Sequence, residues 1–149
     1  MNILSKKFDL SRVYDLVQND LLPILKNNSI LLFIGPLGAG KTTLIKELLN
    51  AYNVNELITS PTFNYVNVYK AKNGEKIYHF DLYRLSSLDE FLDMGFDEYF
   101  YEDALILVEW PQIIEKFIFS DERLRKRSLL FNLNYSDSLD FRELKVKLG

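Results

Sequence analysis

Gly35-Pro36-Leu37-Gly38-Ala39-Gly40-Lys41-Thr42 matches the pattern G-x-x-x-x-G-K-[ST] in full. These residue types suit one task, the holding of a phosphate chain. The glycines let backbone N–H groups of the loop, those of Leu37 and Ala39 included, converge on phosphate oxygens without a Cβ in the way. A helix opening at Lys41 would turn its first N–H groups toward the same anion. Lys41 is expected to reach the β- and γ-phosphates, the Thr42 hydroxyl to ligate Mg²⁺, and Thr43 to sit beside the α-phosphate.

Such a loop needs a carboxylate to orient the metal and its waters. Two acids end strand-like runs, Asp81 in "IYHFD" and Glu109 in "ALILVE". The carboxyl ends of parallel strands open toward the ligand crevice, which favours Glu109 as the metal-orienting group. Asp81 is then placed to take a metal-bound water or to position an attacking one. "TSPTF" lies between the loop and these acids. There Pro61 stiffens the turn, and the Thr62 hydroxyl is either free to approach a γ-phosphate or part of a plain turn. His79, the only histidine, has no metal-ligand cluster around it and reads as a packing or hydrogen-bonding residue rather than a base. Trp110 either covers the site or packs beside it.

The elements that would position these residues follow from periodicity. "SILLFI" is a short apolar run suited to a buried parallel strand, and "KTTLIKELLNAY" continues as a helix. Before them, Val13, Leu16, Val17 and Leu21 recur at helical spacing, with Asp9 or Ser11 as the cap and Pro23 as a kink or stop. "TFNYVNVYKA" and "EKIYHFDLY" flank Asn73-Gly74, a hairpin turn signal, so part of the sheet is expected to be antiparallel. Ser87 and Glu90 form a capping box for a short helix that Gly95 stops. "ALILVE" is a buried strand, "PQIIEKFIF" a helix with Pro111 in its first turn, and "SLLFNLNY" and "RELKVKL" are closing strands. The expected class is α/β: a mixed, mostly parallel sheet of P-loop NTPase type flanked by helices, with an antiparallel hairpin after the P-loop helix.

Bulk properties bound the reading. A chain of 149 residues fits one domain spanning 1–149 and can bury a real core. The absence of cysteine excludes disulfides, thiolate zinc sites and a cysteine nucleophile. Neither a signal-peptide h-region nor a membrane-length apolar run is present, as expected of a soluble cytoplasmic protein. A net charge of −3 offers no global attraction to nucleic acid. The local exception, Arg123, Arg125, Lys126 and Arg127, reads as a solvated loop, with contact to RNA or an acidic partner as the alternative.

Taken in order and at these intervals, "GPLGAGKTT", "SPTF", "YHFDLYRL" and "LVEWP" resemble the TsaE (YjeE) family, over about residues 30–111. That resemblance implies a small P-loop ATPase of bacterial tRNA threonylcarbamoyladenosine biosynthesis. It would work with the TsaD and TsaB proteins and reset their assembly between turnovers, tRNA being met through the complex, with no DNA or membrane partner. It gives Lys41 and Thr42 their P-loop roles, makes Glu109 a magnesium ligand, and assigns Asp81 to the catalytic or switch segment. Thr62 falls in the loop sensing the γ-phosphate, and Trp110 matches a tryptophan beside the nucleotide. Adenine contacts would come from the segment near Asp9 to Arg12, with Ser11 the candidate. Pro36 stands where the family commonly has an acidic residue, so one N–H is missing from the outer edge of the cradle. ATP over GTP rests on the family, since no N-K-x-D motif is present.

The residues alone leave three functions open: a partner-dependent ATPase, a small-molecule kinase, or a module that uses ATP as glue. A kinase needs an acceptor pocket and commonly an arginine-rich lid. Here only Arg84 lies in the motif region, with Arg142 the best candidate from the tail. Arginine stabilisation can contribute ~10³–10⁵ in rate. Slow hydrolysis by the isolated chain is therefore expected.

Overall fold

The protein, as a computed structural model, is described over residues 2–54, 56, 58, 61 and 64–149. Its strands are β1 Asn2–Asp9, β2 Ile30–Ile34, β3 Val66–Lys70, β4 Lys76–Asp81, β5 Ala104–Glu109, β6 Ser128–Tyr135 and β7 Phe141–Leu148. They form one sheet in the order β1-β7-β6-β2-β5-β4-β3. The central strands β6, β2, β5 and β4 run parallel, while β3, β7 and β1 each join their neighbour antiparallel. The α/β class and mixed sheet match the sequence reading. So does the hairpin at Asn73-Gly74, where Gly74 has φ +91° and the Asn73 carboxamide accepts from the Glu75 N–H.

Helices cover both faces: α1 Val13–Leu16, α2 Lys41–Ala51, α3 Leu88–Asp93, α4 Glu115–Ser120 and α5 Glu122–Lys126. One core layer packs Val13, Leu16, Val17, Leu21, Leu44, Ile45 and Leu48 against Leu31, Phe33, Leu105 and Leu107 of the sheet. The other packs Phe91, Phe96, Phe100, Ile114 and Ile118 against Ile30, Leu32, Phe80, Ile106 and Val108. β2 and β5 are thus apolar on both faces, the reason they read as unbroken apolar runs. No helix among the described residues is long and apolar enough to cross a membrane.

Three differences from the sequence reading have local causes. No strand is expected before Asp9, yet β1 forms there as an edge strand. Phe8 is its one buried residue, so it lacks the apolar alternation that marks a strand. The segment after it is helical from Leu10 to Ile24 but passes from a 3₁₀ turn through α1 into a π turn, Val17–Leu21, before Pro23. A proline ring clashes with the carbonyl four residues back, and widening the preceding turn relieves that clash. Asp9 rather than Ser11 supplies the cap, accepting from the Ser11 N–H at 2.9 Å. Finally, the basic residues expected in a loop lie on α5 and at its end. Asp121 caps that helix, Leu124 anchors it in the core, and Lys126 pairs with Glu122 at 2.9 Å.

The expected capping at Ser87 is present: its hydroxyl accepts from the Glu90 N–H at 3.1 Å. The Glu90 carboxylate turns instead to the Ser86 N–H and hydroxyl. Ser87→Ala should therefore lower stability by about 1 kcal/mol. Urea unfolding should show a shifted midpoint at constant slope.

Candidate nucleotide site

Strand parity gathers the acids. Leu31 and Phe33 of β2, Ile77 of β4, and Leu105 and Leu107 of β5 face the layer that contains α2. Counting onward by two puts His79, Asp81 and Glu109 on that same face. The ladder aligns Asp81 with Glu109, and Glu109 with Phe33. Both acids thus reach the carboxyl ends of parallel strands, where the Gly35–Thr42 loop leaves β2 and enters α2.

Glu109 is the hub. Its Oε1 accepts from the Thr42 hydroxyl at 2.9 Å, and its Oε2 lies 2.8 Å from His79 Nε2. Glu109 is 3% exposed and His79 is 1% exposed. Asp81 is half-buried and accepts from the Tyr83 N–H at 3.0 Å. Burial pushes its carboxyl pKa up and Glu109 adds to this, while the Tyr83 N–H, His79 and Lys41 oppose it. The Lys41 amine donates to the carbonyls of Gly35 and Pro36 and lies 3.9 Å from the centroid of the Trp110 ring. Its pKa is drawn down by burial, against the pull of Glu109 and Asp81. Lys41 is thus folded across its own loop, under the indole.

Trp110 holds a left-handed backbone, φ 56° and ψ 58°. Such a conformation costs a non-glycine residue about 1–3 kcal/mol. It turns the chain directly after Glu109 and sets the indole against the Tyr83 ring, tilted by 51° with the ring centroids 4.9 Å apart. The indole thus lies between Lys41 of the loop and Tyr83.

The loop itself is clamped from β6. A Cβ on Gly35 would stand 2.2 Å from the Leu133 carbonyl oxygen. Gly38, at φ +76°, lies under the Tyr135 hydroxyl, which donates to the Leu37 carbonyl at 2.7 Å. Ala39 is buried, and Gly40 takes φ +102° against the Leu10 side chain. Thr43 is exposed on the first turn of α2, and Pro36 is exposed at the rim. Ser11 follows Leu10, so the N-terminal segment does abut the loop, with the Ser11 side chain exposed. Arg142 is one step further away: its guanidinium lies 4.7 Å from the Tyr135 ring and donates to the carbonyls of Leu139 and Phe141. Thr62 lies outside the described residues. Arg84 is exposed and lines, with Asp81, Tyr83, Tyr65 and Pro61, a cavity of about 140 Å³.

Sequence reasoning missed Tyr135, whose reach to Leu37 crosses from a distant strand and leaves no local signal. His79 is the buried hydrogen-bonding residue the sequence suggested, and its two-residue spacing to Asp81 puts both on one face.

The arrangement suits a phosphate-bound divalent cation. Among the described residues, no group of three or more His, Cys, Asp or Glu could hold a metal alone. Mg²⁺ needs no such cage, since one or two protein oxygens, substrate phosphates and water complete its shell. The Thr42 hydroxyl and the Glu109 carboxylate are oxygens of that kind.

Comparison with known proteins agrees with this geometry. The family profile described as "Threonylcarbamoyl adenosine biosynthesis protein TsaE" matches residues 10–138. The chain is 40% identical to the tRNA threonylcarbamoyladenosine biosynthesis protein TsaE of Rickettsia felis, over 78% of this chain and 74% of that protein. It is 36% identical to the Haemophilus influenzae protein of the same name, over 78% of this chain and 70% of that one. The matched segment covers only 53% of the Rickettsia conorii relative, at 46% identity. The crystal structure of Bacillus subtilis YdiB superposes with a TM-score of 0.68 at 26% identity, over all of this chain and 88% of that one. A P-loop rooted between parallel strands, the acid of "LVEWP" hydrogen-bonded to its threonine, and a profile match across most of the sequence lead to one conclusion: the chain belongs to the TsaE family.

Proposed function

We propose that this chain is a slow, Mg²⁺-dependent ATP hydrolase, built as a single ATPase domain. It would act in the cytoplasm with TsaD and TsaB proteins to form N6-threonylcarbamoyladenosine beside the tRNA anticodon, resetting their complex between turnovers. The observation that carries the reading is the Thr42–Glu109 hydrogen bond of 2.9 Å at the mouth of a complete phosphate loop. Thr42 donates its hydroxyl hydrogen bond to Glu109 and keeps its lone pairs for a cation. Lys41 would exchange the carbonyls of Gly35 and Pro36 for the β- and γ-phosphates, since a phosphate is the stronger acceptor. Asp81, half-buried beside Glu109, is the candidate to orient the attacking water. A bound Mg²⁺ would draw charge from the phosphates and fix their geometry.

Slowness follows from what surrounds the site. Arg142 is occupied with the carbonyls of Leu139 and Phe141, and the exposed Arg84 has no partner among the described residues that holds it over the loop. Pairing of Arg123 with Asp121 at 3.0 Å and of Lys126 with Glu122 also favours tRNA reaching the complex through the partners. ATP hydrolysis should be measured for the chain alone and with TsaD and TsaB, with Lys41→Ala as the blank. Strong stimulation by the partners is expected. Turnover of ~1–100 s⁻¹ without them, the range of kinases, would instead support phosphate transfer to a small acceptor. No hydrolysis in either condition would leave nucleotide as glue.

A further inference from the structure

We propose that His79 is a positioning residue for Glu109: its Nε2–H fixes the buried carboxylate so that Oε1, and through it the Thr42 hydroxyl, faces the metal position. The inference rests on the Mg²⁺–nucleotide reading of the site.

A buried carboxylate must be satisfied at both oxygens, and here each has one donor, Thr42 on Oε1 and His79 on Oε2. The terminal torsion of a glutamate is broad and roughly two-fold, so one hydrogen bond leaves its plane free to swing. The second anchor comes from β4, a strand paired on both sides by β3 and β5, and is diagonal to Glu109 across the β4–β5 ladder, so its backbone is held in place.

The ring's other nitrogen decides the direction of the bond. Nδ1 is buried and has no hydrogen-bond partner among the described residues. A hydrogen on Nδ1 would be a buried donor with no acceptor, and would leave the Nε2 lone pair opposing Oε2 at 2.8 Å. Placing it on Nε2 satisfies Glu109 and leaves unpaired only an acceptor. The arrangement is therefore convergent: His79 and Thr42 each donate to one oxygen of Glu109, and the lone pairs of the Thr42 hydroxyl are left to face the cation position. It resembles the outer-shell support that fixes ligands in metal sites, where losing the supporting group costs 10–100-fold in metal affinity.

His79 is the only histidine, so its ring signals need no assignment. Long-range ¹H–¹⁵N NMR of the unmodified protein should report the Nε2–H tautomer, and an Nδ1–H tautomer would overturn the proposal without reference to any nucleotide. The second arm titrates Mg²⁺ into the full chain saturated with a fluorescent ADP analogue. His79→Leu should weaken Mg²⁺ about 10–100-fold while metal-free ADP affinity is unchanged. His79→Gln, whose amide can donate to Oε2, should recover most of the loss. His79→Leu combined with Glu109→Gln should be no worse than Glu109→Gln alone. His79→Met, similar in volume and without a donor, replaces the leucine variant if that one does not fold. Wild-type Mg²⁺ affinity in the donorless variants overturns the positioning role alone. A wild-type protein whose ADP binding ignores Mg²⁺ overturns the site reading and this inference with it.

Discussion

Glu109→Gln should lower partner-stimulated ATP turnover by ~10²–10³-fold, the scale of losing one preorganised electrostatic group at a reacting centre. ATP affinity should hold within a few-fold. The separation of the two effects follows from the contacts. Phosphate binding draws on Lys41 and the loop N–H groups, none of which touches the Glu109 carboxylate. Metal orientation draws on the carboxylate itself, which meets a donor at each oxygen. An amide has only one oxygen to offer two donors. If that oxygen keeps His79, the amide N–H₂ faces Thr42 and its hydrogen must turn toward the cation position. If it keeps Thr42, the N–H₂ faces His79, whose hydrogen must move to Nδ1 and be buried unpaired. Either arrangement spoils the metal's surroundings while leaving the loop intact. Turnover assays and nucleotide titration on one preparation would check this, with a thermal melt to confirm folding. Turnover within about threefold of wild type would show that Glu109 does not orient the metal. Loss of binding as great as the loss of turnover would place it in the phosphate cradle instead.

The parts of this site that were legible in the sequence are those encoded within one element. The loop, its strand and its helix are contiguous, so Gly35 to Thr43 could be read as a unit. Asp81 and Glu109 end apolar runs, and parallel strands bring such ends together, so both could be named before their register was known. What escaped depends on pairing between distant elements. Tyr135 bonds Leu37 across 98 positions, and its meaning exists only once β6 lies beside β2. The Glu109–His79 contact spans 30 positions and requires the β4–β5 register. β1 was illegible for a different reason: an edge strand with a single buried side chain carries no alternation to detect. The helix at Glu122–Lys126 was hidden by charge, because one buried leucine in a five-residue helix is too little to show a period.

Gly35→Ala should be the most destabilising single change in the loop, by about 3 kcal/mol, the upper end of the usual overpacking cost. At ~2–4 °C per kcal/mol for a domain of this size, the melting temperature should fall by roughly 10 °C. What the new methyl meets sets the cost. At Gly35 it would stand 2.2 Å from the Leu133 carbonyl oxygen, a backbone atom of β6. That oxygen belongs to a strand paired to β2 up to Ile34–Asn132, so it cannot withdraw without opening the ladder. Gly38 makes the contrast: its Cβ would approach the Tyr135 hydroxyl at 2.6 Å, but that is the tip of a half-exposed side chain able to turn aside. The cost of Gly38→Ala is then the φ of +76°, about 1–2 kcal/mol, and one lost half-exposed hydrogen bond to Leu37, about 0.5 kcal/mol. Adding Tyr135→Phe to Gly38→Ala should cost little more, because the hydroxyl has already left. No second substitution outside the backbone can relieve Gly35→Ala. Thermal melts without nucleotide would rank the variants, and a Gly35→Ala melting temperature within 3 °C of wild type would contradict the clamp. The first glycine of the motif therefore answers to two demands at once, room for phosphate on one side and room for a neighbouring strand on the other. Its loss should damage stability and ATP affinity together, where Glu109→Gln spares both and damages metal binding and turnover.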